Sequence, residues 1–122
     1  MELKFTIPMP PVTKKNSQRL VRRGVRTIPL PSRAFEAYQE AAGYCLPGKH
    51  RYLTEPCNVK AEFYMGSRRK VDLVNLLEAL DDILVHYGVL EDDNCGIIVS
   101  HDGSRVHYDK ENPRTEVTIT WE

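Results

Sequence analysis

Residues 59–99 read VKAEFYMGSRRKVDLVNLLEALDDILVHYGVLEDDNCGIIV, and they contain three consecutive secondary-structure signals. Polar and apolar residues alternate from Val59 to Met65, which is typical of a strand with one buried face. Residues 72–87 repeat apolar side chains at helical spacing, and Gly88 follows as a C-terminal cap. The apolar run Ile97–Val99 predicts a buried strand. A strand, a helix and a strand in this order predict a helix that packs on a sheet.

The flanking segments extend this pattern in both directions. Alternation over residues 2–7 and 116–121 predicts two more strands. Ser32 is a typical N-cap for a helix that runs to Ala42. Residues 12–31 are basic and proline-flanked, so they form either a mobile arm or a short hairpin around Gly24.

This order of elements predicts one α/β (α+β) domain over residues 1–122, with two layers, a small mixed sheet and two main helices. Hydrophobic residues make up 41% and charged residues 28% of the chain. These values exclude a disordered protein.

The N-terminus and the cysteines indicate an intracellular protein. Glu2 follows the first methionine, and the start of the chain lacks the apolar run of a signal peptide. No stretch of the sequence approaches the length of a membrane span, so no membrane partner is expected. Cys45, Cys57 and Cys95 include no Cys-x-x-Cys pair, which argues against structural zinc. Three free thiols in a reducing cytoplasm are expected.

Acidic side chains gather on one side of the second helix. Glu78 and Asp82 lie opposite the leucines, together with Asn75, Ala79 and His86. Asp72 starts the helix, and Asp92 and Asp93 follow Gly88 and could fold back toward it. Grouped carboxylates suit Mg²⁺, which can activate water for phosphodiester cleavage. The alternative is ordinary: Asp72 is an N-cap, Glu78, Asp81 and Asp82 form a solvated helix face, and Asp92-Asp93-Asn94 forms a turn.

Positive charge is concentrated in two other segments, although the formal net charge is zero. Residues 14–33 contain seven Lys or Arg and no acidic residue, and residues 68–70 form a basic turn. Neutralisation of phosphate is a common use of such clusters, whereas the alternative is a solubilising loop. The two segments predict contact with DNA.

The residues around the second helix resemble the signature of RusA-like Holliday junction resolvases. The matching residues are Arg68-Arg69-Lys70, Asp72, Asn75, Asp82, Gly88 and Asp92-Asp93. The opening Pro8-Met9-Pro10-Pro11 and the following Lys14-Lys15-Asn16-Ser17 are similar to the start of these proteins. The resemblance covers nearly the whole chain.

The resemblance implies a Mg²⁺-dependent homodimer that cuts four-way DNA junctions. It also implies that Asp72 and Asp93 are catalytic. Two positions depart from the family pattern, because Val74 replaces a motif aspartate and Glu78 replaces a motif lysine. Glu78, one helical turn after position 74, is the candidate to supply the missing carboxylate. Lys70 or Arg69 is the candidate for the missing positive charge.

Three readings follow from these residues: a junction-resolving endonuclease, a catalytically impaired junction-binding protein, and an interaction domain without DNA contact. The candidate catalytic residues are Asp72, Asp93, Glu78 and Lys70. The candidate ligands of Mg²⁺, with Mn²⁺ as the alternative, are Asp72, Asp92, Asp93 and Glu78. The candidate DNA-binding residues are Lys14, Lys15, Asn16, Arg19, Arg22, Arg23, Arg68, Arg69 and Asn75. Leu90 and Ile97–Val99 are candidate dimer contacts, and a phage recombination role follows by analogy.

Overall fold

The computed structural model describes residues 1–14, 19–23, 26–30 and 32–122, with residues 19–23 and 26–30 described by their backbone alone. The elements are β1 (Glu2–Ile7), β2 (Arg19–Arg23), β3 (Arg26–Leu30), α1 (Arg33–Gly43), β4 (Cys57–Met65), α2 (Leu73–His86), β5 (Ile98–Ser100), β6 (Arg105–Tyr108) and β7 (Arg114–Trp121).

The main sheet is mixed, as the sequence predicts. Its strand order is β1-β7-β4-β5, and β6 pairs with the same strand β4. The pairs β1–β7 and β7–β4 are antiparallel, whereas β5 and β6 both run parallel to β4. Helix α2 connects β4 to β5, which is the crossover that two parallel strands require.

One face of the sheet carries the core. Buried and half-buried residues alternate strictly along β7 and along most of β4. Val59, Phe63, Val117 and Ile119 are all fully or almost fully buried. Their alternation with polar residues is the period of two that a strand imposes, so the apolar side chains share one face.

Helix α2 buries its predicted apolar face, with Leu76, Leu80, Ile83 and Leu84 in the core. Ala79, which the sequence analysis places on the polar side, is also buried. The helix needs this wider apolar stripe because it packs on both the sheet and α1. Its end agrees with the prediction. Gly88 has φ +68°, and a Cβ there would lie 2.8 Å from a ring carbon of Tyr52. Glycine therefore allows both the turn and the close approach.

Helix α1 begins as its sequence predicts. The Ser32 side chain accepts a hydrogen bond from the Phe35 amide at 3.0 Å. Phe35, Tyr38 and Ala42 face the core, and the Tyr38 hydroxyl lies 3.4 Å from the Thr115 hydroxyl on β7. These contacts attach α1 to the sheet, so the predicted two-layer α+β arrangement is confirmed.

Strands β2 and β3 pair antiparallel from Arg19↔Leu30 to Arg23↔Arg26, which agrees with the hairpin alternative predicted for residues 12–31. Arg19, Arg22 and Arg23 therefore lie on β2. The candidate DNA contacts Lys15 and Asn16 lie outside the described residues, as does Gly24 itself.

Three predictions about buried or interface residues need correction. Leu90 is fully buried and Ile97 is 7% exposed, so neither can form a dimer contact without unpacking the core. Val99, predicted as part of a buried strand, is 55% exposed because it points away from the core on β5. The strand itself begins one residue later than predicted, at Ile98.

Candidate active site

Asp72 occupies the N-cap position of α2 without capping it. Its side chain makes no hydrogen bond to the first-turn amides. Instead, one carboxylate oxygen accepts a hydrogen bond from Asn75 Nδ2 at 3.3 Å. The side chain is exposed. The Asp72 carboxylate is thus held beside Asn75 and open to solvent, which is not the capping role that the ordinary interpretation gives it.

Asp92 organises the turn that follows α2. Its two carboxylate oxygens accept hydrogen bonds from the Asp93 amide at 2.8 Å and from Asn94 Nδ2 at 3.0 Å. The Asp93 amide, followed by the Asn94 side chain, lowers the pKa of Asp92. Asn94 in turn accepts a hydrogen bond from the Gly96 amide at 2.9 Å. The carboxylate of Asp92 therefore has a structural task in this turn.

Asp93 lies in the opposite electrostatic environment. Partial desolvation, followed by the neighbouring Asp92 and Asp82 carboxylates, raises the pKa of Asp93 above its ordinary value of 3.8. Asp93 and Asp82 also contribute to a raised pKa of Asp81. Asp81, Asp82, Asp92 and Asp93 therefore influence one another electrostatically, and we call these four residues the acidic cluster.

Glu78 and Val74 lie on the exposed side of α2, and Val74 is 71% exposed. In the described part of the chain, no group of three or more His, Cys, Asp or Glu side chains is positioned to hold a metal ion. Mg²⁺ usually keeps several waters and takes one or two carboxylates. The oxygen donors of the acidic cluster fit such a hydrated cation, and the predicted four-carboxylate ligand set stays a prediction.

Lys14 contacts the acidic cluster directly. Its ammonium donates a hydrogen bond to the Asp82 carboxylate, and both side chains are about two-thirds buried, at 28% and 32% exposure. The Lys14 ammonium also lies 5.8 Å from the centre of the Phe35 ring. Sequence reasoning assigned Lys14 to a DNA-binding arm and missed this ion pair, because the residues are 68 positions apart.

Asp81 makes a second ion pair that the sequence did not predict. Its carboxylate lies 3.0 Å from His101 Nε2, and His101 Nδ1 donates to the Val59 carbonyl at 2.8 Å. Asp81 Oδ1 is buried and accepts no hydrogen bond from the described residues. The hydrogen bond to Asp81 raises the pKa of His101, and burial raises the pKa of Asp81. Both directions indicate that the pair retains a proton.

Asp72 opens onto a basic groove of about 500 Å³. The groove is also lined by Arg68, Arg69, Lys70 and Tyr108, and the three cationic residues are exposed. The Arg68 guanidinium stacks 4.1 Å from the centre of the Tyr108 ring. Positive side chains and an aromatic ring next to a carboxylate suit a nucleic-acid phosphate with its neighbouring base.

A larger groove, of about 860 Å³, lies between the N-terminus and Trp121. Glu2, Glu55 and Glu122 line it, and its lining within the described part of the chain includes no Lys or Arg. Its negative charge would repel DNA, so the chemistry favours the smaller groove.

Comparison with known protein families matches nearly the whole chain. A family model described as Endodeoxyribonuclease RusA matches residues 8–120 of the 122-residue chain. No curated protein shows significant similarity to the chain. The matched range includes Lys14, the basic groove, α2 and the acidic cluster. Proteins of this family are Holliday junction resolvase-type nucleases that bind branched DNA and are typically metal-dependent. The chain belongs to the RusA endodeoxyribonuclease family.

Proposed function

We propose that this chain is a Mg²⁺-dependent, structure-selective endonuclease that resolves four-way DNA junctions in recombination or repair. The observation that carries the proposal is Asp72, an exposed carboxylate at the mouth of a groove lined by three cationic side chains. The proposal treats residues 1–122 as one resolvase domain that acts as a homodimer in the cytoplasm. A phage or prophage origin remains part of the same proposal.

The basic groove would hold the DNA backbone beside the carboxylates. Arg68, Arg69 and Lys70 neutralise phosphates on the approach to Asp72. Asn75 orients Asp72 through the hydrogen bond between their side chains. Arg19, Arg22 and Arg23, whose backbone lies on β2, and Lys15 and Asn16, which lie outside the described residues, are further candidate DNA contacts.

The carboxylates define where the reaction would occur. Asp93 is the first candidate to bind the metal, because its carboxylate is exposed and lies among other acidic residues. Partial desolvation, followed by the neighbouring Asp92 and Asp82 carboxylates, raises its pKa, and a cation would relieve the repulsion between the carboxylates. Asp72, Asp92 and Glu78 complete the proposed ligand set. Glu78 would supply the carboxylate that the family motif has at the position of Val74. Bound Mg²⁺ would activate water and neutralise charge on the phosphodiester, and Mn²⁺ could substitute for it.

A second candidate function is a catalytically impaired protein that binds junctions without cutting them. Val74 favours it, because this exposed position carries no carboxylate where the family motif has one. The described side chains also present no group of three metal ligands.

The deciding experiment is nicking of a synthetic four-way junction with Mg²⁺, with EDTA as the control, beside a linear duplex of the same sequence. The proposal expects paired nicks near the branch point and no product with EDTA. Junction binding without nicks in Mg²⁺ or Mn²⁺ would support the impaired-binding alternative. Equal affinity for junction and duplex would contradict both.

The groove has its own test. Arg68→Ala with Arg69→Ala should weaken junction binding and lower the slope of log affinity against log salt by about 0.9 for each lost phosphate contact. Arg51→Ala is a matched control, because Arg51 also stacks on an aromatic ring, Trp121, at 4.8 Å. An unchanged slope in the double variant would remove the basic groove from the DNA path.

A further inference from the structure

We propose that Lys14 replaces the lysine that α2 lacks, and that it acts as a positioning residue for the acidic cluster. The family motif has a lysine where this chain has Glu78, so α2 lacks one positive charge. Lys14, in the segment before β2, would supply that charge. This inference rests on the proposed nuclease function and adds a residue to it.

The first argument is the geometry of α2. Glu78 and Asp82 are four residues apart, so their side chains lie on one face of the helix. A lysine at position 78 could reach the Asp82 carboxylate, whereas Glu78 can only repel it. In this chain the Asp82 carboxylate instead accepts a hydrogen bond from the Lys14 ammonium. The Lys14 ammonium therefore pairs with the same carboxylate that a lysine one turn earlier could reach.

The second argument is that Lys14 is held rather than solvated. About two-thirds of its side chain is buried, and its ammonium lies over the Phe35 ring of α1. A lysine whose only task is to contact phosphate from a flexible arm keeps its ammonium in water. Lys14 is fixed between the two helices, where its charge acts on the cluster continuously.

The third argument is the charge balance of the cluster. Asp81 and Asp82 are adjacent acidic residues of α2, and the Lys14 ammonium pairs with the Asp82 carboxylate. A cation bonded to Asp82 offsets the repulsion that this carboxylate exerts on its neighbours. Lys14 would thereby lower the electrostatic barrier to an approaching phosphate.

The test compares Lys14→Met in two backgrounds. One is the native chain, and the other carries Val74→Asp with Glu78→Lys, which restores the family motif. In the native background, Lys14→Met should slow single-turnover cutting of a four-way junction about tenfold at saturating protein. In the restored background it should slow cutting less than about threefold, because the introduced lysine neutralises Asp82. Equal slowing in both backgrounds, or none in the native chain, would overturn the proposal.

A second measurement does not depend on activity. Without DNA, Lys14→Met should tighten Mn²⁺ binding by roughly three- to tenfold, since a positive charge near the cation is lost. Adding Lys14→Met to Asp82→Asn should have a smaller effect, because the carboxylate that fixes the ammonium is gone. Lys49→Met is the matched control, since the Lys49 ammonium also lies over an aromatic ring, Tyr87, at 6.0 Å.

The two measurements separate the possible failures. If the native chain never cuts junctions, the proposed function fails, while Mn²⁺ binding still decides the placement of Lys14. If Lys14→Met binds Mn²⁺ as Lys49→Met does, Lys14 is only a surface cation and the inference is wrong. Thermal unfolding of each variant checks folding, and Lys14→Gln replaces Lys14→Met if the latter does not fold.

Discussion

Asp92 and Asp93 are adjacent in the chain, yet their surroundings shift their pKa values in opposite directions. Asp92 accepts hydrogen bonds that stabilise its charged form, whereas Asp93 faces other carboxylates. At the residue scale, this contrast assigns Asp92 chiefly to the structure of the turn and leaves Asp93 as the stronger candidate for the reaction. A bound cation would remove the repulsion that Asp93 now experiences.

Asp93→Asn should abolish cutting and keep or tighten junction binding, because it removes negative charge near the phosphate without changing side-chain size. The measurements are a nicking assay and a gel shift on the same junction. Glu91→Gln is the control, since Glu91 is exposed on the same turn. If Asp93→Asn cuts the junction as fast as the native chain does, Asp93 is not a metal ligand.

His101 should make the stability of the fold depend on pH. Its pKa is raised in the folded chain, so the stabilisation is fully present below its ordinary value of 6.5 and is lost as the pH rises through the folded value. Between pH 6 and 9, the free energy of unfolding should therefore fall by about 1 kcal/mol. His101→Gln should lack most of this fall, and urea denaturation at several pH values measures it.

His86→Gln is the control for this experiment, because His86 is exposed on the same helix that carries Asp81. Its stability should follow the pH dependence of the native chain. Parallel stability curves for His101→Gln and the native chain would show that the pair with Asp81 does not hold the extra proton.

At the scale of elements, α2 contributes residues to the core and also carries Val74 and Glu78, the two positions that depart from the family motif. Its apolar face is buried, while Val74 and Glu78 remain exposed on its outer side. Substitutions at these two positions should therefore change chemistry more than folding. Surface changes of this kind usually alter stability by less than about 0.5 kcal/mol.

Glu78→Gln should erase most of the stabilisation that Mg²⁺ gives the fold and most of the nicking activity, if Glu78 supplies the missing carboxylate. Val74→Asp with Glu78→Lys should keep or raise activity. Thermal unfolding with and without Mg²⁺ and the nicking assay measure the two effects. If Glu78→Gln changes neither quantity, Glu78 is a solvated helix residue. Activity that appears only in the double variant would identify a lapsed enzyme.

The sequence predicts the elements whose signals are local. Strand β4, helix α2 and the caps at Ser32 and Gly88 all follow from residue spacing, and the structure confirms them. Strand β6 was missed because it has only four residues and follows a loop. In that loop the Ser104 Oγ, rather than a backbone carbonyl of a strand, accepts a hydrogen bond from the Ala61 amide at 3.0 Å. The hydrophobic periodicity of the sequence does not indicate that a side chain takes the place of a strand backbone as the acceptor.

The candidate site was predictable only where the motif is contiguous. Spacing along one helix places Asp72, Asn75 and Glu78, and the glycine turn predicts the return of Asp93 toward the helix. The pairs Lys14–Asp82 and Asp81–His101 join distant parts of the chain. They depend on how the N-terminal segment and the loop after β5 pack on α2, which no local pattern specifies.

At the scale of the whole molecule, none of the described helices is long and apolar enough to cross a membrane.

A four-way junction has near two-fold symmetry, so a symmetric dimer would present two equivalent sites to opposing strands. The corrected interface candidate is Val99, which is exposed on β5.

Light scattering at micromolar concentration should therefore give a mass of about twice the 14.0 kDa of one chain. Val99→Asp should shift the species toward the monomer, because it places a charge in an apolar contact. Tyr44→Asp is the control, since Tyr44 is 85% exposed at the C-cap of α1. A monomer in the native chain would contradict the dimer, and equal effects of both substitutions would remove Val99 from the interface.

The break between β5 and β6 also affects how the chain behaves when crowded with copies of itself. An uninterrupted outer strand offers a row of backbone groups to which another chain can add, and this is a common route to aggregation. Here the outer edge changes from Ser100 to Arg105 through a loop with Gly103 in a left-handed conformation. Each remaining strand is only three or four residues long. A growing fibril would find no continuous template on this side, so the loop that positions His101 also protects this edge of the sheet against edge-to-edge association.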